Sequence, residues 1–407
     1  MTMSKTAAMV ALAAATCATS SFAAEGAAPR SVPRLDHVFL IMMENHGYSQ
    51  IVDNPNAVFT NNLAKAGNVA TNYFAVGHPS LTNYLEVVGG SNFGVRTDNA
   101  PDWHNASCAP NLATGAVSTD NPSSPKICPI AGTGTDAETP AVDTTNETQG
   151  TPGENDLDGV ISIPAASNIT GKTIADQLAA AHHSWKNYQE SLPLAGADNV
   201  TYSDGFFTDK TFFPGFSLAS SDLVLLYAAK HDPFVYFKNV QEGGLANVVP
   251  FDGPQGLYAD LRSGRVPTFS FIVPNQCNDQ HGRGNAGNTC AFDPQTNGSQ
   301  SGLNPALIYR GDVTLQQIVQ AIWASPAWKT GDNAIVVMWD ENDYSVAPNI
   351  NKVLVIVYTN YGVHGAQSSN FYTHFSLLRT LEGGFGLPCL NHACDSNVEA
   401  MSDLFAR

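Results

Sequence analysis

The sequence predicts an α/β fold: a mostly parallel central sheet with helices on both faces, a three-layer α/β/α sandwich. Three observations predict it. Short continuous apolar runs recur along the chain, the mark of strands buried on both faces. Stretches with helical spacing alternate with them, the connection pattern of parallel sheets. The segments just past the runs carry carboxylates, amides and imidazoles, as expected at the carboxyl edge of such a sheet.

Residues 38–43 form the first apolar run and the first predicted strand. Residues 57–66 are helical in pattern, residues 68–76 a second strand, and residues 80–88 a helix that opens on Ser80. Between 91 and 159 Asn, Asp, Pro, Ser, Thr and Gly dominate and periodicity vanishes, so this is a loop-rich insertion. Helices are expected over 173–185, 222–231 and 255–262, then a strand over 266–274. A loop over 276–304 precedes a helix over 312–323 with a clear apolar stripe. Strands at 333–339 and 352–358 and a helix at 371–381 complete the pattern. With no internal repeat and no linker, residues 24–407 read as one domain with long insertions.

Composition narrows the function. Lys and Arg number 19 against 36 Asp and Glu, a net charge of −17, which argues against nucleic acid or an anionic membrane as partner. Charged residues are 14% and apolar residues 43%, so the chain has the means to build a large core.

The first 23 residues read as a secretory signal peptide. Lys5 is a minimal positive region, residues 7–15 are apolar, and Ser21-Phe22-Ala23 is a small-x-small cleavage site. The apolar stretch is too short to span a bilayer, and a lipoprotein anchor at Cys17 is poorly matched by Thr16 before it. Secretion or a periplasmic location is therefore expected. Six cysteines remain after cleavage, an even number that reads as a disulfide framework. Pairing of nearest neighbours (108 with 128, 277 with 290, 389 with 394) is expected, because each pair closes a short loop rich in Gly, Pro or Asn. A zinc site lacks the usual Cys-x2-Cys spacing.

Reading past each strand gives the candidate site. Glu44-Asn45 follows the first strand, His78-Pro79-Ser80 the second, Asn278-Asp279-Gln280-His281 the 266–274 strand, and Asp340-Glu341-Asn342-Asp343 the 333–339 strand; His374 lies near the start of the last helix. Carboxylates gathered at one sheet edge repel unless a cation lies among them, and Asp, Glu and Asn oxygens with imidazole nitrogens suit a divalent metal. A serine opening a helix lies where amides and the helix dipole favour an anion. A plain N-cap role is the competing account of Ser80.

These segments, in order, resemble the bacterial phosphoesterase family of secreted acid phosphatases and phospholipases C, related to the alkaline phosphatase superfamily. The resemblance rests on Glu44-Asn45, on His78-Pro79-Ser80-Leu81-Thr82-Asn83-Tyr84-Leu85, and on Pro274-Asn275-Gln276-Cys277-Asn278-Asp279-Gln280-His281. It continues in Trp339-Asp340-Glu341-Asn342-Asp343, in the segment around His374, and in Phe385-Gly386-Leu387-Pro388-Cys389-Leu390. It implies an alkaline-phosphatase-like fold and a metal-dependent phosphoric-ester hydrolase acting through a phosphoserine. Glu44, Asn45, Asp340, Glu341, Asp279, His281 and His374 match the metal-binding positions. Ser80 matches the nucleophile. On the residues alone, His78 either protonates the leaving group or is a structural histidine beside Pro79. Asn83 falls among the substrate contacts, as does His231 in Lys230-His231-Asp232-Pro233-Phe234. The metal could be Zn, Ca, Mg or Mn. Gly282 stands where relatives often carry an acid, which leaves the metal count open.

A phosphomonoesterase is the expected activity. A phospholipase C-type diesterase shares the same groups, with Phe206, Phe207, Phe212 and Phe213 either flooring a lipid groove or lying in the core. A non-catalytic exported metal-binding protein on the same fold is the alternative of another class.

Overall fold

Six of the seven residues of β1 (His37–Met43) are buried, because the strand is covered on both faces and paired on both edges. It is parallel to β7 (Phe269–Val273) on one side and to β8 (Asn333–Trp339) on the other, whose side chains are also buried. The computed structural model describes residues 25–93, 95, 98, 109–110, 127–128, 169, 171–192, 226–283, 287–293, 302–342 and 351–407. The signal segment, most of the 91–159 insertion, Cys108, the Cys128 side chain and the four Phe residues between 206 and 213 lie outside them.

Among the described residues the sheet runs β10-β2-β9-β8-β1-β7-β5-β6. Here β2 is Asn68–Phe74, β5 Trp185–Gln189, β6 Val248–Pro250, β9 Lys352–Thr359 and β10 Gln367–Ser368. The short β11 (Tyr372–Thr373) also pairs with β2, and β3 (Ala109–Pro110) pairs with β4 (Ile127–Cys128) as a separate ribbon. All pairings are parallel except those of β9, which runs against both β8 and β2.

Helices lie in two groups. Helices α2 (Val58–Ala66) and α5 (Leu257–Ser263) both pack on α6 (Pro305–Ala324). Helices α3 (Ser80–Gly89), α4 (Ile174–Ala180) and α7 (His374–Phe385) pack on one another. The first short turn is α1 (Tyr48–Ile51). Helix α2 has no cap of its own. Asp312 of α6 supplies it, accepting from Phe59 N–H at 2.8 Å and Thr60 N–H at 2.7 Å.

Three expectations are corrected. The 173–185 helix ends at Ala180, where His182 takes a left-handed φ of 60°, and Trp185 opens β5 instead. The 222–231 helix is absent from its described part: Ala229–His231 is a single 3₁₀ turn, and Pro233 starts another rather than extending a helix. The 312–323 helix begins seven residues earlier, at Pro305, with Asn304 accepting from Ala306 N–H and Leu307 N–H as its cap.

Candidate active site

Parallel pairing brings the ends of β1, β7 and β8 to one edge, and backbone bonds join them there. Glu44 N–H donates to Asp279 O at 2.8 Å and Asp340 N–H to Met43 O at 3.0 Å. Asn45 takes a left-handed φ of 61°, which Asn tolerates, and its N–H donates to Asp340 Oδ1 at 3.0 Å. The loop after β2 arrives at the same edge. Asn83 holds it there, accepting from Val76 and Gly77 N–H and donating to Gly77 O and to Glu341 Oε2 at 3.0 Å. Asn83 is fully buried and its amide is already committed to these partners.

Ser80 is not a cap. Pro79 takes the N-cap position of α3, and the Ser80 hydroxyl turns into the site. Its Oγ lies 3.2 Å from Glu44 Oε2, 3.3 Å from Glu341 Oε1 and 3.5 Å from Lys230 Nζ. His78 is buried beside it, with Nδ1 2.7 Å from Glu341 Oε2.

His231 lies between two carboxylates, Nε2 2.8 Å from Glu44 Oε1 and Nδ1 3.2 Å from Asp279 Oδ2. Burial works against its charge, but Glu44 and Asp279 outweigh burial and push its pKa up to about 9. Burial likewise opposes ionisation of Glu44, yet His231, Lys230 and His281 together hold that carboxyl well below its usual range. His281 is the opposite case. Its Nδ1 donates to Gly282 O at 2.8 Å and its Nε2 accepts from Lys230 at 3.1 Å, and burial beside Lys230 drives it down to about 3. It therefore presents a neutral ring whose Nε2 points into the cluster with its lone pair on Lys230.

Ligand atoms of Glu44, His231 and His281 lie within 4.8 Å of one another, a spacing that suits one metal ion. A second observation supports the fit. Asp340 Oδ2 is buried without a partner among the described residues, and burial with Glu44 and Glu341 nearby raises that carboxyl well above its usual range. Such crowding is what a bound cation relieves.

The structure thus brings together Glu44, Asn45, His78, Ser80, Asn83, His231, Asp279, His281, Asp340 and Glu341. It sets His374 apart. That ring donates through Nε2 to Asp340 O at 2.7 Å, and its Nδ1 accepts from Tyr73 OH at 3.0 Å, so both nitrogens are engaged behind Asp340. The family resemblance placed His231 among substrate contacts; its ring lies in the metal-compatible cluster. Sequence patterns passed over Lys230, which touches Ser80, His281 and Asp98. Its place directly before His231 was the available signal.

Fold and site together define an α/β protein that gathers carboxylates, imidazoles and a helix-opening serine at one edge of a parallel sheet. The chain belongs to the phosphoesterase family, whose model matches residues 52–291 and 294–388. It is 24% identical to the phosphatidylinositol-3-phosphatase of Mycobacterium tuberculosis, over 93% of this chain and 86% of that protein. It is 24% identical to an acid phosphatase of Aspergillus fumigatus over 88% of this chain. It is 25% identical to a phosphate-repressible acid phosphatase of Penicillium chrysogenum over 83% of this chain. The chain spans 57% of the length of each of these fungal relatives. A solved alkaline phosphatase superfamily structure from Vibrio parahaemolyticus resembles it with a TM-score of 0.42 at 13% identity, over 89% of this chain and 70% of that one.

Proposed function

We propose that the protein is an exported, metal-dependent phosphomonoesterase that passes the phosphoryl group to Ser80 and then to water. The observation that carries this is the Ser80 hydroxyl, which opens α3 without capping it and lies between Glu44 and Glu341. Serine is a weak nucleophile until its proton has an acceptor. Glu341 is suited to that task, because burial raises its proton affinity while Glu44 is held ionised. Ser80 Oγ would attack phosphorus in line, the bond to the leaving alcohol would break, and water would then release phosphate.

Glu44, His231 once it has given up its proton, His281 once its Nε2 is released from Lys230, and the free oxygen of Asp340 are the groups that would hold the metal; two imidazoles favour an ion such as Zn over Ca or Mg. When bound, such an ion supplies positive charge against the phosphoryl oxygens and eases loss of the serine proton. Asp279 and Glu341 hold His231, His78 and Asn83 in place around it.

The monoester choice is supported by the relatives named acid phosphatases and phosphatidylinositol-3-phosphatase. Export is supported by the N-terminal segment and by two disulfides, Cys277–Cys290 and Cys389–Cys394. Among the described residues no helix is long and apolar enough to cross a membrane. The test is hydrolysis of a chromogenic phosphomonoester compared with a diester, with and without chelator. Rapid monoester turnover that chelation abolishes supports the reading; equal or faster diester turnover would replace it with a phosphodiesterase.

A further inference from the structure

One carboxylate already spans the start of α3. Asp98 Oδ1 accepts from Leu81 N–H at 3.1 Å, and Asp98 Oδ2 accepts from Lys230 Nζ at 3.0 Å. Leu81 is the second residue of α3, so its N–H is among the donors that the helix itself leaves unpaired at its positive end. The same ammonium lies 3.5 Å from Ser80 Oγ. An anion therefore bridges a helix N–H and a cation immediately beside the serine hydroxyl.

We propose that Lys230 Nζ and Leu81 N–H form the seat for a non-bridging oxygen of the substrate's phosphoryl group, and that the Asp98 carboxylate holds this seat until substrate displaces it. The inference rests on Ser80 as the site of phosphoryl transfer. A phosphoryl group on Ser80 Oγ begins one bond length from that oxygen, so its own oxygens fall within reach of an ammonium 3.5 Å away. The two partners of the present bridge differ in freedom. The Asp98 side chain is 33% exposed and can swing into water, whereas the Lys230 side chain is 16% exposed. A phosphate dianion brings more charge than a carboxylate to the same donors and wins the exchange. The alternative role for Asp98, a fixed brace that aims Lys230, makes the opposite forecast for its removal.

The test uses inorganic phosphate as probe, titrated by calorimetry into metal-loaded Ser80→Ala protein, with KM for a chromogenic monoester measured in the Ser80 protein. Adding Lys230→Met should weaken phosphate binding by about tenfold or more, the loss of one charge-assisted hydrogen bond. Lys230→Arg should recover part of it. Asp98→Asn should tighten phosphate and lower KM severalfold. Thermal midpoints and metal content establish that each variant is folded and loaded. Unchanged phosphate affinity in a folded, loaded Lys230→Met protein overturns the seat. Weaker phosphate binding in Asp98→Asn overturns the placeholder and makes Asp98 a brace. Should Lys230→Met prove unfolded, the Asp98→Asn and Lys230→Arg titrations decide the matter alone. Normal turnover by Ser80→Ala alone would remove the phosphoserine reading, and the phosphate titrations would still decide whether the seat exists.

Discussion

His231 Nε2 lies 2.8 Å from Glu44 Oε1, and the imidazole stacks on Tyr84 with 5.3 Å between ring centroids. The pair couples one carboxylate to one ring so closely that each sets the other's charge. Burial alone would discharge His231, and Glu44 is the main group that reverses this, to about 9. In metal-free protein, Glu44→Gln should therefore bring the His231 pKa down from that value, read by NMR titration of the ring. The same substitution removes an anionic ligand, so bound metal should be lost and turnover should fall by ~100-fold or more. Full metal content in Glu44→Gln would place the metal elsewhere.

Ser80 offers a clean separation of roles. A capping serine replaced by Ala costs roughly 0.5–2 kcal/mol of stability. Here Pro79 is the cap, so Ser80→Ala should cost less than that while turnover falls by several powers of ten. Ser80→Thr keeps a hydroxyl and should keep some activity. Acid quenching during turnover should trap phosphate on Ser80, found by peptide mass mapping. An active Ser80→Ala enzyme would move nucleophilic attack to another group.

The central strands were legible because burial on both faces demands uninterrupted apolar runs, as in Val336, Val337 and Met338 of β8. The strand β5 was not, because its sequence is polar. Asn187 and Gln189 are buried there only because Asp232 Oδ1 and His231 O accept from them. Glu44, Asp340 and Asp279 could be found by looking past strand ends. Lys230 could not be found that way, since it follows no strand and reaches Ser80 from a 3₁₀ turn. The position of His374 at a helix start suggests a ligand, but both its nitrogens are turned to Tyr73 OH and Asp340 O, which no sequence pattern carries.

That placement of His374 leads to a graded forecast. It steadies Asp340 through the backbone carbonyl instead of offering a lone pair to the cluster. Tyr73→Phe removes the hydroxyl that His374 Nδ1 accepts from, and should reduce turnover by less than tenfold while leaving metal content intact. His374→Ala should weaken metal affinity without abolishing binding. If His374→Ala loses metal as completely as Glu44→Gln, the histidine is a ligand after all.

The 276–304 loop carries Asp279 and His281, and Cys277–Cys290 closes it with a sequence separation of 13. A bridge across a loop of this length stabilises by about 3 kcal/mol on the loop-entropy account. Replacing both cysteines by Ser should lower stability by about 2–3 kcal/mol in denaturant unfolding and weaken metal binding through the looser His281. Non-reducing mass mapping should find this bridge and Cys389–Cys394. An unchanged denaturation midpoint in the double variant would show that the loop is held by its other contacts, such as Arg310 Nε to Asn278 Oδ1 at 2.7 Å.

The last prediction concerns Glu382 of α7, away from the site. Its Oε1 accepts from Leu390 N–H at 2.8 Å, while Oε2 has no partner among the described residues. Burial raises this carboxyl well above its usual range, against the pull of Arg379, whose Nη1 is occupied by Ala393 O and Asp395 O. The folded protein thus holds the Glu382 proton more tightly than the unfolded chain does. As pH rises past the ordinary carboxylate value of about 4.3, the unfolded chain ionises first and the fold loses stability. Glu382→Gln keeps the acceptor for Leu390 and has no proton to lose. The variant should match the wild type in thermal midpoint near pH 4, and its advantage should widen steadily toward neutral pH. Parallel curves from pH 4 to 7 would mean that Glu382 ionises in the fold as it does in water, with a solvent path or cationic partner stronger than Arg379.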